Sequence, residues 1–178
     1  MKKALFLILF FNAVISLFVS CKDEDSIIGK IGPGGGIIFY DCDADNNEKN
    51  DGAGPDGLKS DVCGWRYLEA APADLDSQYS YTDAISQCEA YSTKVGNTVY
   101  DDWRLPTAYE LNLLYTNLAQ NGKGSFKDFQ YYWSSDTSKT DPETKAQAIK
   151  FKIGYETSTL SKLAQSTLCY VRPIRAYR

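Results

Sequence analysis

The densest run of possible ligands is Asp41-Cys42-Asp43-Ala44-Asp45-Asn46-Asn47-Glu48, which continues to Asp51, Asp56 and Asp61. Oxygens at alternating positions can converge on a hard cation that takes about six to eight of them. The expected set is Asp41, Asp43, Asp45, Asn47 and Asp51, and the expected cation is calcium. The run is not an EF-hand. Counted from Asp41, the glycine position holds Asn46 and the glutamate position holds Gly52. The alternative is a solvated loop, which the composition favours. A second candidate is aromatic. In a strand, Tyr131 and Trp133 would share one face and could stack a ligand ring, while Tyr132 takes the other. A third group is Trp103, Arg104, Thr107 and Glu110. These could bind a ligand. The favoured reading is structural: Trp103 fills the core, Glu110 closes a helix cap on Thr107, and Arg104 neutralises its carboxylate. Arg172 and Arg175 would face opposite ways unless Pro173 adds a bulge, and at least one is expected in a structural ion pair.

The chain has no histidine. Ser–His, Cys–His and histidine-ligated zinc chemistry are therefore excluded. Gly32-Pro33-Gly34-Gly35-Gly36 lacks the Lys-Ser/Thr and following helix of a phosphate loop. The net charge is −4, so no basic face for nucleic acid is implied. No catalytic residue and no enzyme activity are expected.

The N-terminus has its own chemistry. Met1-Lys2-Lys3 leads a mostly apolar run from Ala4 to Phe18, then Val19-Ser20-Cys21 and the polar Lys22-Asp23-Glu24-Asp25. A charged start, an apolar run and small residues before a cut mark a secretory signal over 1–20. The Ser20-Cys21 junction resembles the bacterial lipobox, with Phe18 where leucine is usual. Cys21 is then the lipid-bearing first residue of the mature chain, since stable anchoring takes more than one acyl chain. Export and anchoring in the cell envelope follow, at the outer membrane or cell surface. Loss of Lys2 and Lys3 takes the net charge from −4 to −6.

Four cysteines remain: Cys42, Cys63, Cys88 and Cys169. An even count in an oxidising compartment reads as a disulfide framework with three open connectivities. Cys42–Cys63, clamping the acidic loop, and Cys88–Cys169, tying a helix to the last strand, are favoured. No CxxC pair supports the rival zinc site.

The elements that must position these groups are legible from periodicity. Residues 21–31 read as a tether. Ile37–Tyr40 and Trp65–Ala70 read as strands. Tyr81–Thr93 reads as a helix capped by Thr82, with Ala84, Ile85, Cys88 and Tyr91 on its inner face. Thr107-Ala108-Tyr109-Glu110 is a capping box opening a second helix with Leu111, Leu114, Tyr115 and Leu118 on its stripe, stopped by Gly122. Tyr131–Trp133, the alternation of Ile149, Phe151 and Ile153 with lysines, and Leu168–Ile174 read as strands. Pro173 puts the last at an edge, a bulge or its own end. The order is β-β-α-α-β-β-β, an α+β domain over residues 32–178 with its helices grouped together.

Five strings carry a family resemblance: Gly-Pro-Gly-Gly-Gly-Ile-Ile-Phe-Tyr (32–40), Trp-Arg-Tyr-Leu-Glu-Ala-Ala-Pro (65–72), Asp-Trp-Arg-Leu-Pro-Thr-Ala-Tyr-Glu-Leu (102–111), Tyr-Trp-Ser-Ser (132–135) and Val-Arg-Pro-Ile-Arg (171–175). Together they resemble the Lcl C-terminal-type domain, a bacterial family related to the C-type lectin-like fold and to formylglycine-generating enzymes. The resemblance implies a disulfide-braced C-type lectin-like fold, with two helices packed on small antiparallel sheets, and the Cys88–Cys169 pairing agrees with it. It implies no chemistry. The enzyme branch uses two late cysteines, and only Cys169 lies late here. The calcium-lectin strings Glu-Pro-Asn and Gln-Pro-Asp do not occur. The expectation is a membrane-anchored, non-catalytic binding or adhesion module for a glycan, matrix protein or envelope protein. The alternatives are a structural or envelope-assembly lipoprotein that binds another envelope protein and, behind it, an enzyme of the formylglycine-generating type.

Overall fold

The computed structural model describes residues 26–42 and 65–178. Among these residues, eight short strands and two helices form an α+β fold with three small antiparallel sheets. The first joins β1 (Ile37–Asp41), β2 (Tyr67–Ala70) and β8 (Ile174–Tyr177) in the order β1-β2-β8, so the two ends of the domain meet in one sheet. The second is a hairpin of β3 (Thr93–Val95) and β4 (Thr98–Tyr100), turned at Gly96, whose φ is +59°. The third joins β5 (Tyr131–Thr137), β6 (Lys145–Lys150) and β7 (Thr159–Ala164). Helix α1 is Tyr81–Ala90 and α2 is Ala108–Asn117, followed by a 3-10 turn at Ala119–Asn121.

Strand β5 divides the core. Tyr132 joins the cluster of Phe39, Leu68, Leu111, Leu114, Tyr115 and Phe151. Trp133 joins the cluster of Tyr81, Ala84, Cys88, Leu105, Cys169 and Val171, with Tyr131 at its margin. The alternation read from the sequence is thus the physical partition of the interior.

Several boundaries differ from expectation. Ser80, not Thr82, caps α1: its Oγ accepts from Asp83 N and donates to Asp83 Oδ2. The buried Tyr81 then occupies the first helical turn. The helix ends at Ala90 because Tyr91 turns extended and sets its ring edge-on to Trp103, with centroids 5.4 Å apart. The last strand is Ile174–Tyr177 rather than Leu168–Ile174. Pro173 has no N–H for a ladder, and the carbonyls of Val171 and Pro173 accept instead from Leu75 N and Ala71 N. The ladder of β6 stops at Lys150, before Phe151 and Ile153. Ahead of Gly32, Gly29 N donates to Ile38 O and Ile38 N to Lys30 O, so the tail of the expected tether is built into the fold. Among the described residues, no helix is long and apolar enough to cross a membrane.

Candidate functional site

Three charged centres bind the signature strings together. In the first, Glu69 on β2 is fully buried. Its carboxylate accepts from Gly36 N at 2.6 Å, Gly34 N at 3.2 Å and Arg175 Nη1 at 3.0 Å. Arg175 also donates to both oxygens of Asp102, at 2.7 and 3.0 Å. Tyr100, Trp103 and Tyr177 surround its guanidinium. This explains two glycines: a Cβ on Gly32 would fall 2.5 Å from the Glu69 carboxyl carbon, and one on Gly36 only 2.1 Å from Ala70 O. The glycine string cradles a carboxylate of the chain's own β2 strand.

In the second centre, Arg172 is 1% exposed. It donates to Asp74 at 2.7 Å, Gly124 O at 2.8 Å and Ala71 O at 3.0 Å, and lies 4.1 Å from the Phe126 ring centroid. Tyr132 Oη donates to the other Asp74 oxygen at 2.8 Å and accepts from Lys127 N. Burial, then the Asp74 charge, pushes the Tyr132 hydroxyl well above its ordinary range. Both late arginines are therefore ion-paired, to different carboxylates.

In the third, Arg104 grips Glu110 through two bonds of 2.6 and 2.8 Å, and Glu110 closes the capping box with Thr107. Asp136 Oδ2 accepts from Ala108 N at the same helix start, and Ser135 N donates to Pro106 O. The Tyr-Trp-Ser-Ser string is thus bolted to the Trp-Arg-Leu-Pro-Thr string. Burial opposes charge on Glu110, but Arg104 and the Thr107 donors outweigh it and hold the carboxyl below its ordinary 4.5. A depressed carboxyl stabilises above its unfolded value and loses that contribution as pH falls through the folded one. Thermal melts from pH 7 to 3 should therefore show stability falling below about pH 4.5, with a smaller fall in Glu110→Ala. At pH 7 that variant should lose about 1–2 kcal/mol, or a few degrees, since Arg104 is partly exposed and the cap dominates.

The aromatic candidate is corrected. Trp133 is fully buried, donates from Nε1 to Tyr79 O at 2.9 Å and meets the Tyr81 ring edge-on. It is a core residue and presents no face to a ligand. Tyr131 is half-buried beneath Lys150. Trp103, at 2% exposed, likewise fills the interior. Of the acidic set, Asp41 ends β1, buried and held by Arg66 at 3.0 and 3.3 Å. Asp43, Asp45, Asn47 and Asp51 lie outside the described residues, as do Cys21 and Cys63. Among the described residues no cluster of three metal-binding side chains occurs.

Cys88 and Cys169 are fully buried in the same cluster as unbridged thiols, and burial pushes both up to about 12. The disulfide expected between them is not formed in this structure. Cys42 is half-buried at the end of β1.

The surface opens between α1 and the loop before it. A cavity of about 470 Å³ is lined there by Asp74, Asp76, Tyr79, Gln87, Tyr91 and Ser92, among others. Tyr79 Oη donates to Asp76 at 2.6 Å, and Asp74, also in the lining, accepts from Arg172 at 2.7 Å. Periodicity did not single out this cavity. Its one sequence signal is the polar Asp-Leu-Asp-Ser-Gln-Tyr string between a strand and a helix. Two tyrosines and several hydrogen-bonding groups can orient a polar ligand; they offer no activated nucleophile.

A family model described as the Lcl C-terminal domain matches residues 57–175. No curated protein matches the chain.

Proposed function

The chain belongs to the Lcl C-terminal domain family, and from that premise we propose that it is a non-catalytic binding module carried on an exported, lipid-anchored protein. The observation that carries this reading is the division of labour among its polar groups. The arginines of the signature strings are consumed in ion pairs with the buried carboxylates Asp41, Glu69, Asp74 and Glu110, while Tyr79, Tyr91, Asp76 and Gln87 face an open cavity. That arrangement suits recognition rather than bond chemistry.

We read the arrangement of two helices on small sheets as C-type lectin-like, with Cys88 and Cys169 oxidised to a staple in the exported protein. The ligand class is a glycan, a matrix protein or another envelope protein. The test is a glycan and matrix-protein array probed with the mature domain, repeated with Tyr91→Ala and Gln87→Ala. Hits that both substitutions weaken, without a change in melting temperature, support the reading; an array without hits counts against it. Peptide mapping of protein extracted from the envelope reads acylation of Cys21 and the oxidation state of Cys88 and Cys169 together.

A further inference from the structure

The walls of the cavity beside α1 come from a stretch of chain with one sign of charge. From Tyr67 to Thr93 the sequence carries Glu69, Asp74, Asp76, Asp83 and Glu89 and no lysine or arginine. Arg175 and Arg172, from the far end of the chain, pair with Glu69 and Asp74. Asp76 has no such cation beside it among the described residues, and it lines the cavity with Tyr79, Gln87, Tyr91 and Ser92. One of its oxygens accepts from Tyr79 Oη at 2.6 Å. Its other oxygen, Tyr91 Oη and the Gln87 amide make no hydrogen bond among the described residues.

Both walls are pinned to the core. On one side the backbone is tied at every fourth residue: Ala71 N donates to Pro173 O, Leu75 N to Val171 O and Tyr79 N to Cys169 O. Tyr79 O in turn accepts from Cys169 N and from Trp133 Nε1. On the other side, Gln87 and Ala90 ride on α1, and the Tyr91 ring rests edge-on against the buried Trp103 with centroids 5.4 Å apart. Little ordering is left for a ligand to impose. The volume of about 470 Å³ falls at the small end of the roughly 300–1,000 Å³ of ligand pockets, which suits one long side chain.

Building on the reading of this cavity as the recognition site, we propose that it takes the cationic side chain of a protein partner, a lysine ammonium or an arginine guanidinium, set between Tyr79 and Tyr91 and paired with Asp76. A cation gains from both kinds of group: phenol rings attract it through their quadrupole, and a carboxylate pairs with it directly. The aliphatic stem of lysine or arginine can lie along Leu75 and Ala90, which also line the cavity. An anionic group would meet Asp76 with no basic side chain in the lining to offset it. A neutral group would leave the Asp76 charge without a counterpart, so the cavity discriminates by charge.

The test titrates residues 22–178 with capped pentapeptides, Gly-Gly-Xaa-Gly-Gly, in which Xaa is arginine, lysine, citrulline or acetyl-lysine, and reads NMR shifts of the tyrosine rings and glutamine side-chain amides. The arginine and lysine peptides should give saturable shifts at Tyr79, Gln87 and Tyr91 that weaken with salt; the two neutral peptides should give none at the same concentrations. Asp76→Asn, which keeps an acceptor for Tyr79, should weaken the arginine peptide about three- to fivefold with an unchanged melting curve. Glu89→Gln, which removes an exposed carboxylate outside the lining, should leave its affinity unchanged. Equal shifts with citrulline, no shifts with either cationic peptide, or equal losses in Asp76→Asn and Glu89→Gln would overturn the proposal. So would tighter binding of putrescine than of either peptide, which assigns the cavity to a free amine. An array hit that carries no cation, yet is weakened by Tyr91→Ala and Gln87→Ala, would overturn the cationic ligand and leave the binding-module reading standing. An array without hits beside saturable arginine shifts would support the cationic ligand and count against the glycan and matrix classes.

Discussion

Replacing Glu69 with alanine is expected to lower the melting temperature by roughly 6–20 °C, the consequence of losing about 3–5 kcal/mol when one partner of a buried ion pair is removed. Glu69 is fully enclosed and satisfies three donors at once. Without it, Gly34 N and Gly36 N lose their acceptor, and Arg175 is left with Asp102, which is half in solvent. Glu69→Gln keeps the volume and one acceptor but sets an amide against Arg175, so it should fall between wild type and alanine. Gly36→Ala attacks the same joint from the other side. Its Cβ would stand 2.1 Å from Ala70 O, and relief requires moving strand β1 off β2. Circular-dichroism melts of the three variants check this. A Glu69→Ala melting temperature within a degree or two of wild type would show that the glycine loop is held by something else.

Much of this architecture was legible because it rests on local rules. The Thr107–Glu110 capping box is a four-residue pattern, and the structure has both of its bonds. The partition of Tyr131, Tyr132 and Trp133 follows from strand alternation alone. What escaped was non-local. Glu69 is an ordinary strand residue until Arg175, over a hundred positions later, is set beside it in the β2-β8 ladder. Asp74 and Arg172 are 98 residues apart. An aromatic run reads as a platform or as core with equal ease, and only burial decides that Trp133 belongs inside. Strands β3 and β4 are three residues each and largely exposed, too short for a period to register.

Arg172→Met is expected to be the comparable lesion in the second centre, costing about 3–5 kcal/mol because it leaves a buried carboxylate without its cation. Asp74 is 8% exposed in its side chain, and Ala71 O and Gly124 O would also lose a charged donor. Methionine fills the space against Phe126, so the loss reads charge and hydrogen bonding rather than a void. Asp74→Leu alone strands Arg172 and Tyr132 Oη instead. The double variant removes both charges and should recover part of the loss, with a coupling of about 1–3 kcal/mol in a urea-denaturation cycle. Additive losses would mean that the pair is not the unit that holds the loop before α1 to the last strand. The cycle also separates fold from recognition. Asp74 lines the cavity while Arg172 is buried against Asp74 and Phe126, so an array hit that survives Arg172→Met but not Asp74→Leu assigns the Asp74 carboxylate to the ligand. A hit lost equally in both variants, and regained in the double variant, assigns it to the shape of the loop.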